Sequence, residues 1–144
     1  MNIKFKSLIV GAILGAIVFQ IAIYFIGYTS AITLPSSIAA WATKNSATMP
    51  VIFVWDLLVV RLLGIGILAA LSTYTLLKLS SFKWLYVAIG FVIAETISSY
   101  SWLLTPTFHE HFSKNSYILF TPHFIVVCIC VFIAASFGSK NKKV

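Results

Sequence analysis

Four runs of apolar residues alternate with short stretches in which serine, threonine, proline and lysine gather. About 20 apolar residues at about 1.5 Å each cover a bilayer core of about 30 Å. The runs therefore predict transmembrane helices at about 7–28, 50–79, 82–104 and 117–138. The connection from Ser80 to Lys83 is so short that the second and third helices must be antiparallel neighbours. With no internal repeat and no long linker, residues 1–144 are expected to form a single domain, a four-helix antiparallel up-down transmembrane bundle. The stretch 29–49, TSAITLPSSIAAWATKNSATM, interrupts the hydrophobicity without becoming strongly polar. Pro35 followed by Ser36 and Ser37 is a helix start, and Ile38 with Trp41 suits a short helix lying in the membrane interface. The alternative is a connecting loop with one interfacial tryptophan.

The first run begins after Lys4 and Lys6, as a signal peptide would. Its apolar core of about 20 residues exceeds the 7–15 of a signal core, and no small-x-small cleavage site follows, so it reads as a transmembrane helix. Gly11 and Gly15 form a GxxxG continued by Ala22, which suits close backbone approach either within the bundle or between copies.

Composition agrees with the pattern: of 144 residues 60% are hydrophobic and 9% charged, and mean hydropathy is +1.02. A soluble domain has about a quarter of its residues charged. The net charge of +7 comes from basic residues scattered at the ends of apolar runs, without the basic stripe or aromatic platform that nucleic-acid binding requires. Lys4, Lys6, Lys78, Lys83, Lys140, Lys142 and Lys143 fall on one side of the predicted topology, and only Lys44 and Lys114 on the other. The positive-inside rule then places both termini in the cytoplasm of a bacterial inner membrane, with the two longer loops outside. Cys128 and Cys130, two apart on a helix, point to different sides and serve as packing residues.

What changes the picture is polarity inside the apolar runs. From Leu57 to Leu77 the only charge is Arg61, and an arginine near a helix centre costs about 2.5 kcal/mol or more unless it faces protein, water or a partner. Counted from the nearest cytoplasmic lysine, Gln20 and Glu95 lie 14 and 12 residues in. Arg61, Tyr100 and His123 lie 17 in, and Asp56 lies 22 in. At about 1.5 Å per residue these groups fall roughly 18–33 Å from the inner lysines, from mid-membrane to the outer surface. A continuous conduction path needs polar groups at both depths, so the pattern favours an outward-opening site.

The expected site therefore comprises Gln20, Asp56, Arg61, Glu95, Tyr100 and His123. Gln20 is expected to turn inward with Ala16, Tyr24 and Gly27, and Glu95 with Ser98, Ser99 and Trp102. Asp56 and Arg61 are five residues apart, roughly 140° around an α-helix, and are not expected to pair. Arg61 is left to Glu95, Tyr100, Asp56 of another subunit or an external ligand.

Candidate chemistry is sparse. His109, Glu110 and His111, with His123 and either Glu95 or Asp56, could ligate a metal, but HEH lacks the HExxH spacing that puts two histidines on one helical face, so no cofactor is assigned. Ser98 or Ser99, His123 and Glu95 could converge as nucleophile, base and acid, without a motif behind them. The chain has neither the CxxC pairs of quinone-linked disulfide oxidases nor the paired aspartates of lipoprotein signal peptidases. The first expectation is a non-catalytic binding or assembly role in the lipid bilayer, with another membrane protein, a peptide or a lipid head group as partner and self-association open. The alternatives are an oligomeric transporter of a small solute or ion, and an intramembrane enzyme acting on lipid.

Overall fold

The computed structural model describes residues 2–100 and 116–140, and side chains for 2–99 and 122–139; among these the chain is all helical, without strands. Five helices follow one another: α1 (Ile3–Ser30), α2 (Ser36–Lys44), α3 (Thr48–Leu79), α4 (Trp84–Tyr100) and α5 (Ser116–Lys140). α1, α3 and the Pro122–Ser139 part of α5 are each long and apolar enough to cross a membrane, while α4 supplies the shorter apolar stretch Trp84–Ser99. The remainder of the third predicted span, to residue 104, lies outside the described residues.

Small residues decide how α1 sits. Ser7, Gly11, Gly15, Val18 and Ala22 form its buried stripe, and the GxxxG is spent on α4. A methyl group on Gly11 would stand 2.8 Å from Val87 Cα, and one on Gly15 3.0 Å from Phe91 Cα, so the two backbones touch. In lipid, where tails are as apolar as leucine, such contact supplies the van der Waals packing that holds helices together. The registers 11 to 87 and 15 to 91 advance together, so α1 and α4 run in the same direction. At their shared end the Ser7 hydroxyl donates to Ile3 O (2.7 Å) and accepts from Lys83 N (2.9 Å). Lys4 stacks over the Tyr86 ring there, 5.8 Å from its centre.

α3 runs against α1 and with α5. Thr29 donates to Val60 O (2.9 Å) and the Trp55 indole to Ile32 O (3.2 Å), an antiparallel register. Gly66 lies against Val126 and Cys130, and Gly138 against Tyr74 and Leu77, a parallel one. Val87, Phe91, Ile65, Ala69, Val127 and Val131 meet in the core. The outward faces carry isoleucine, leucine and phenylalanine, such as Ile13 and Leu71. Between α1 and α3 the helical reading of the first connection holds: α2 starts directly after its cap residue Pro35, buries Ala42 and leaves Trp41 exposed.

One element departs from an ordinary helix. From Asp56 to Gly66, α3 is wound as a π-helix, with hydrogen bonds from i to i+5 in place of i+4. Residues five apart then come round one above the other. Asp56 and Arg61, expected to point apart, are in fact paired, Arg61 Nε donating to Asp56 Oδ2 at 3.2 Å. The expectation assumed α-helical geometry, and the wider turn removes its premise.

Candidate functional site

The buried side of α3 sets the stage. Asp56 and Arg61 lie one above the other, and the next turn brings Ile65 and Gly66, both buried, so the ion pair caps the core-facing stripe of the helix. Its side chains are about one-fifth exposed, which places them at a rim. Among the described residues the guanidinium is bonded through Nε alone. The Gly66 and Gly138 contacts fix the register of α3 against α5, and extended one turn they bring Arg61 level with His123.

A second cluster lies where α4 meets α5. Glu95 is fully buried and His123 nearly so, at 4% exposure. His123 Nε2 and Glu95 Oε1 are 2.6 Å apart, and the Ser99 hydroxyl donates to Glu95 Oε1 while lying 3.1 Å from His123 Nε2. Ser99 stands one turn after Glu95 on α4, so one helix supplies both acid and hydroxyl and the other supplies the imidazole. Histidine hydrogens are assigned from this network. With Nε2–H donating to the carboxylate, and Ser99 doing the same, Oε1 accepts two bonds from a single face.

The second carboxylate oxygen has none. Glu95 Oε2 and the neighbouring Thr96 Oγ1 are buried without a hydrogen-bond partner among the described residues. Buried polar atoms are satisfied in the great majority of cases, and an exception in a native fold asks for a reason.

The arrangement limits the chemistry. In a nucleophilic triad the hydroxyl and the acid bind opposite nitrogens of the imidazole, so that one orients the ring while the other loses a proton. Here Ser99 and Glu95 both meet Nε2. The three residues considered for catalysis do converge, but in a geometry that ties the hydroxyl to the acid.

Of the expected site, the structure brings Glu95 together with His123, and Asp56 with Arg61. No ion pair joins Arg61 to Glu95 among the described residues. Gln20 is exposed on the side of α1 opposite its buried stripe, and Tyr24 beside it is 73% exposed. The inward turn expected of that face is corrected, because Gly11 and Gly15 take the inside. Tyr100 ends α4 with its side chain outside the described residues, and His109, Glu110 and His111 lie outside them altogether. No group of three or more metal-ligating side chains occurs among the described residues. Thr96 was not foreseen; its one signal is adjacency to Glu95.

The fold and these clusters define an all-helical protein, rich in membrane-spanning character, with a buried acid–imidazole pair between two helices. Comparison with protein-family models, with curated proteins and with solved structures finds no match to this chain.

Proposed function

We propose that the chain is a four-pass protein of a bacterial inner membrane and a non-catalytic binding or assembly component. Its helices form an antiparallel up-down bundle, α2 lies in the outer interface and both termini are cytoplasmic. The site at the outer end of the bundle engages another membrane component. Leftover bonding capacity carries the reading: among the described residues Glu95 Oε2 is buried without a partner, while Arg61, level with the His123 that Glu95 binds, uses Nε alone. An arginine and a glutamate held in a membrane bundle are functional candidates by default. A binding partner that offers a donor to the carboxylate and an acceptor to the guanidinium would use both.

The ends of the bundle differ in a way that suits binding over transport. On the side of Lys4 and Lys83 the core is Val87, Phe91, Ala69 and Val131 under the α1–α4 backbone contact, and its buried polar side chains among the described residues, Ser7 and Thr73, are uncharged hydroxyls. Native mass spectrometry of protein extracted gently from membranes tests the reading, comparing wild type with Arg61→Gln, Glu95→Gln and Thr73→Val. A lipid, peptide or protein mass should be retained by wild type and Thr73→Val and lost from the other two. Identical bound masses in all four, or ion flux through reconstituted wild type that Glu95→Gln abolishes, would overturn it.

A further inference from the structure

Gln20 stands near the middle of a membrane-spanning helix, about 21 Å along α1 from Lys6, and the structure turns it away from every other helix. Its amide has no hydrogen-bond partner among the described residues. A primary amide facing hydrocarbon forfeits the bonds that it makes in water, which the bilayer core cannot replace. The surrounding positions are patterned. Ile9, Ile13, Ala16, Gln20, Ile23 and Gly27 follow one another at alternating steps of four and three, directly opposite the buried stripe of α1. That spacing is the seam of a left-handed helix pair, the commonest crossing in membranes. Ala16 and Gly27 keep the seam thin, and a methyl group on Gly27 would meet nothing within 4 Å.

We infer that this seam joins two copies of the chain in a parallel dimer, with Gln20 as its central polar contact. A two-fold axis along the membrane normal brings residues of equal depth face to face, so Gln20 meets the partner's Gln20. An amide carries both donor and acceptor, and two of them satisfy each other by reciprocal N–H···O bonds. A buried amide of this kind also fixes register, since a shift of one heptad along the seam would set one amide against Ile13 and the other against Gly27, leaving both unpaired. The two faces of α1 then divide the labour: its glycine stripe binds α4 within one copy, and its glutamine seam binds the other copy. Neither Arg61 nor Glu95 takes part, so the dimer stands or falls apart from the proposed binding site.

Disulfide trapping in native membranes tests the dimer. In a chain carrying Cys128→Ala and Cys130→Ala, single substitutions Ile13→Cys and Ala16→Cys should give cross-linked dimer at least tenfold faster than Ile21→Cys, which is exposed off the seam. In vesicles, fluorescence energy transfer between labelled copies should show Gln20→Leu dimerising roughly 3- to 30-fold more weakly than wild type, the range measured for polar contacts between membrane helices. Gln20→Asn, which keeps a shorter amide, should recover part of the loss. Equal trapping at all three positions, trapping only to other proteins, or a Gln20→Leu dimer as tight as wild type would each overturn the inference.

Discussion

Replacing His123 with leucine should destabilise the protein more than replacing Glu95 does. The reason is in what each substitution leaves behind. His123→Leu removes the 2.6 Å contact to a carboxylate that is fully buried and whose other oxygen has no partner among the described residues. The Ser99 hydroxyl still bonds Oε1, but a buried carboxylate that has lost its partner in the pair costs about 3–5 kcal/mol. Glu95→Leu instead leaves an imidazole whose Nε2 is 3.1 Å from the Ser99 hydroxyl, so a weaker hydrogen bond persists and the cost falls to about 1–3 kcal/mol. With both replaced, no polar group of the pair remains, and a buried ion pair exchanged for apolar residues is commonly neutral, within about 1 kcal/mol. The double variant should therefore recover at least about 3 kcal/mol relative to the sum of the singles. Unfolding of the purified protein in mixed micelles, titrated with a denaturing detergent and followed by circular dichroism, gives all four corners of the cycle. Additive single effects, or a His123→Leu variant no weaker than Glu95→Leu, would show that the pair is not closed in the folded protein.

Three further substitutions probe the frame around the site. Gly15→Ala places a methyl group against the Phe91 backbone, which cannot rotate away, and should cost about 2 kcal/mol net of the helix propensity gained. Gly27→Ala meets nothing within its own chain, and the seam already holds an alanine at residue 16, so it should be neutral or stabilising in the same titration; equal effects at the two glycines would refute the tight α1–α4 contact. Thr29→Val keeps the shape but removes the hydroxyl that bonds Val60 O, and should lower stability by about 1 kcal/mol and speed amide exchange across Asp56–Gly66. Unchanged exchange there would mean that the contact does not brace the π-helical stretch.

Membrane character was legible because it rests on length and apolarity, which are properties of the sequence itself. The predicted 50–79 run is one helix, Thr48–Leu79, and the helix start at Pro35 forms. Direction around a helix was harder. α1 offers two faces, one with Gly11 and Gly15 and one with Gln20, and only one can turn inward. Residue polarity argued for the glutamine, but backbone contact with α4 is available only through the glycines and decides the matter. Asp56 and Arg61 show a different limit. Their pairing depends on a change of helical winding for which nothing in DLLVVRLLGIG is a marker, neither proline nor a polar break. Once the winding is known, the five-residue spacing explains the pair at once.

The π-helical stretch also gives the two polar clusters a shared frame. It begins at the level where Thr29 of α1 bonds Val60 and Trp55 bonds Ile32 just past the end of α1, and ends where Gly66 lies against α5. Stretches bonded i to i+5 are uncommon and recur at functional sites, because they hold side chains in directions that an α-helix cannot offer. In this chain the wide turns stack Asp56 over Arg61 on the stripe that continues into Ile65, whereas α-helical winding would swing one of the two away from it. The cost of keeping a guanidinium among apolar helices is thus partly offset by its own carboxylate, at a rim level with His123. An ion pair needed only to neutralise the arginine could be built at the ordinary spacing of four. Unusual winding that instead preserves both the pair and its place on the interior stripe supports counting Asp56 and Arg61 with Glu95 and His123 in the binding site proposed above.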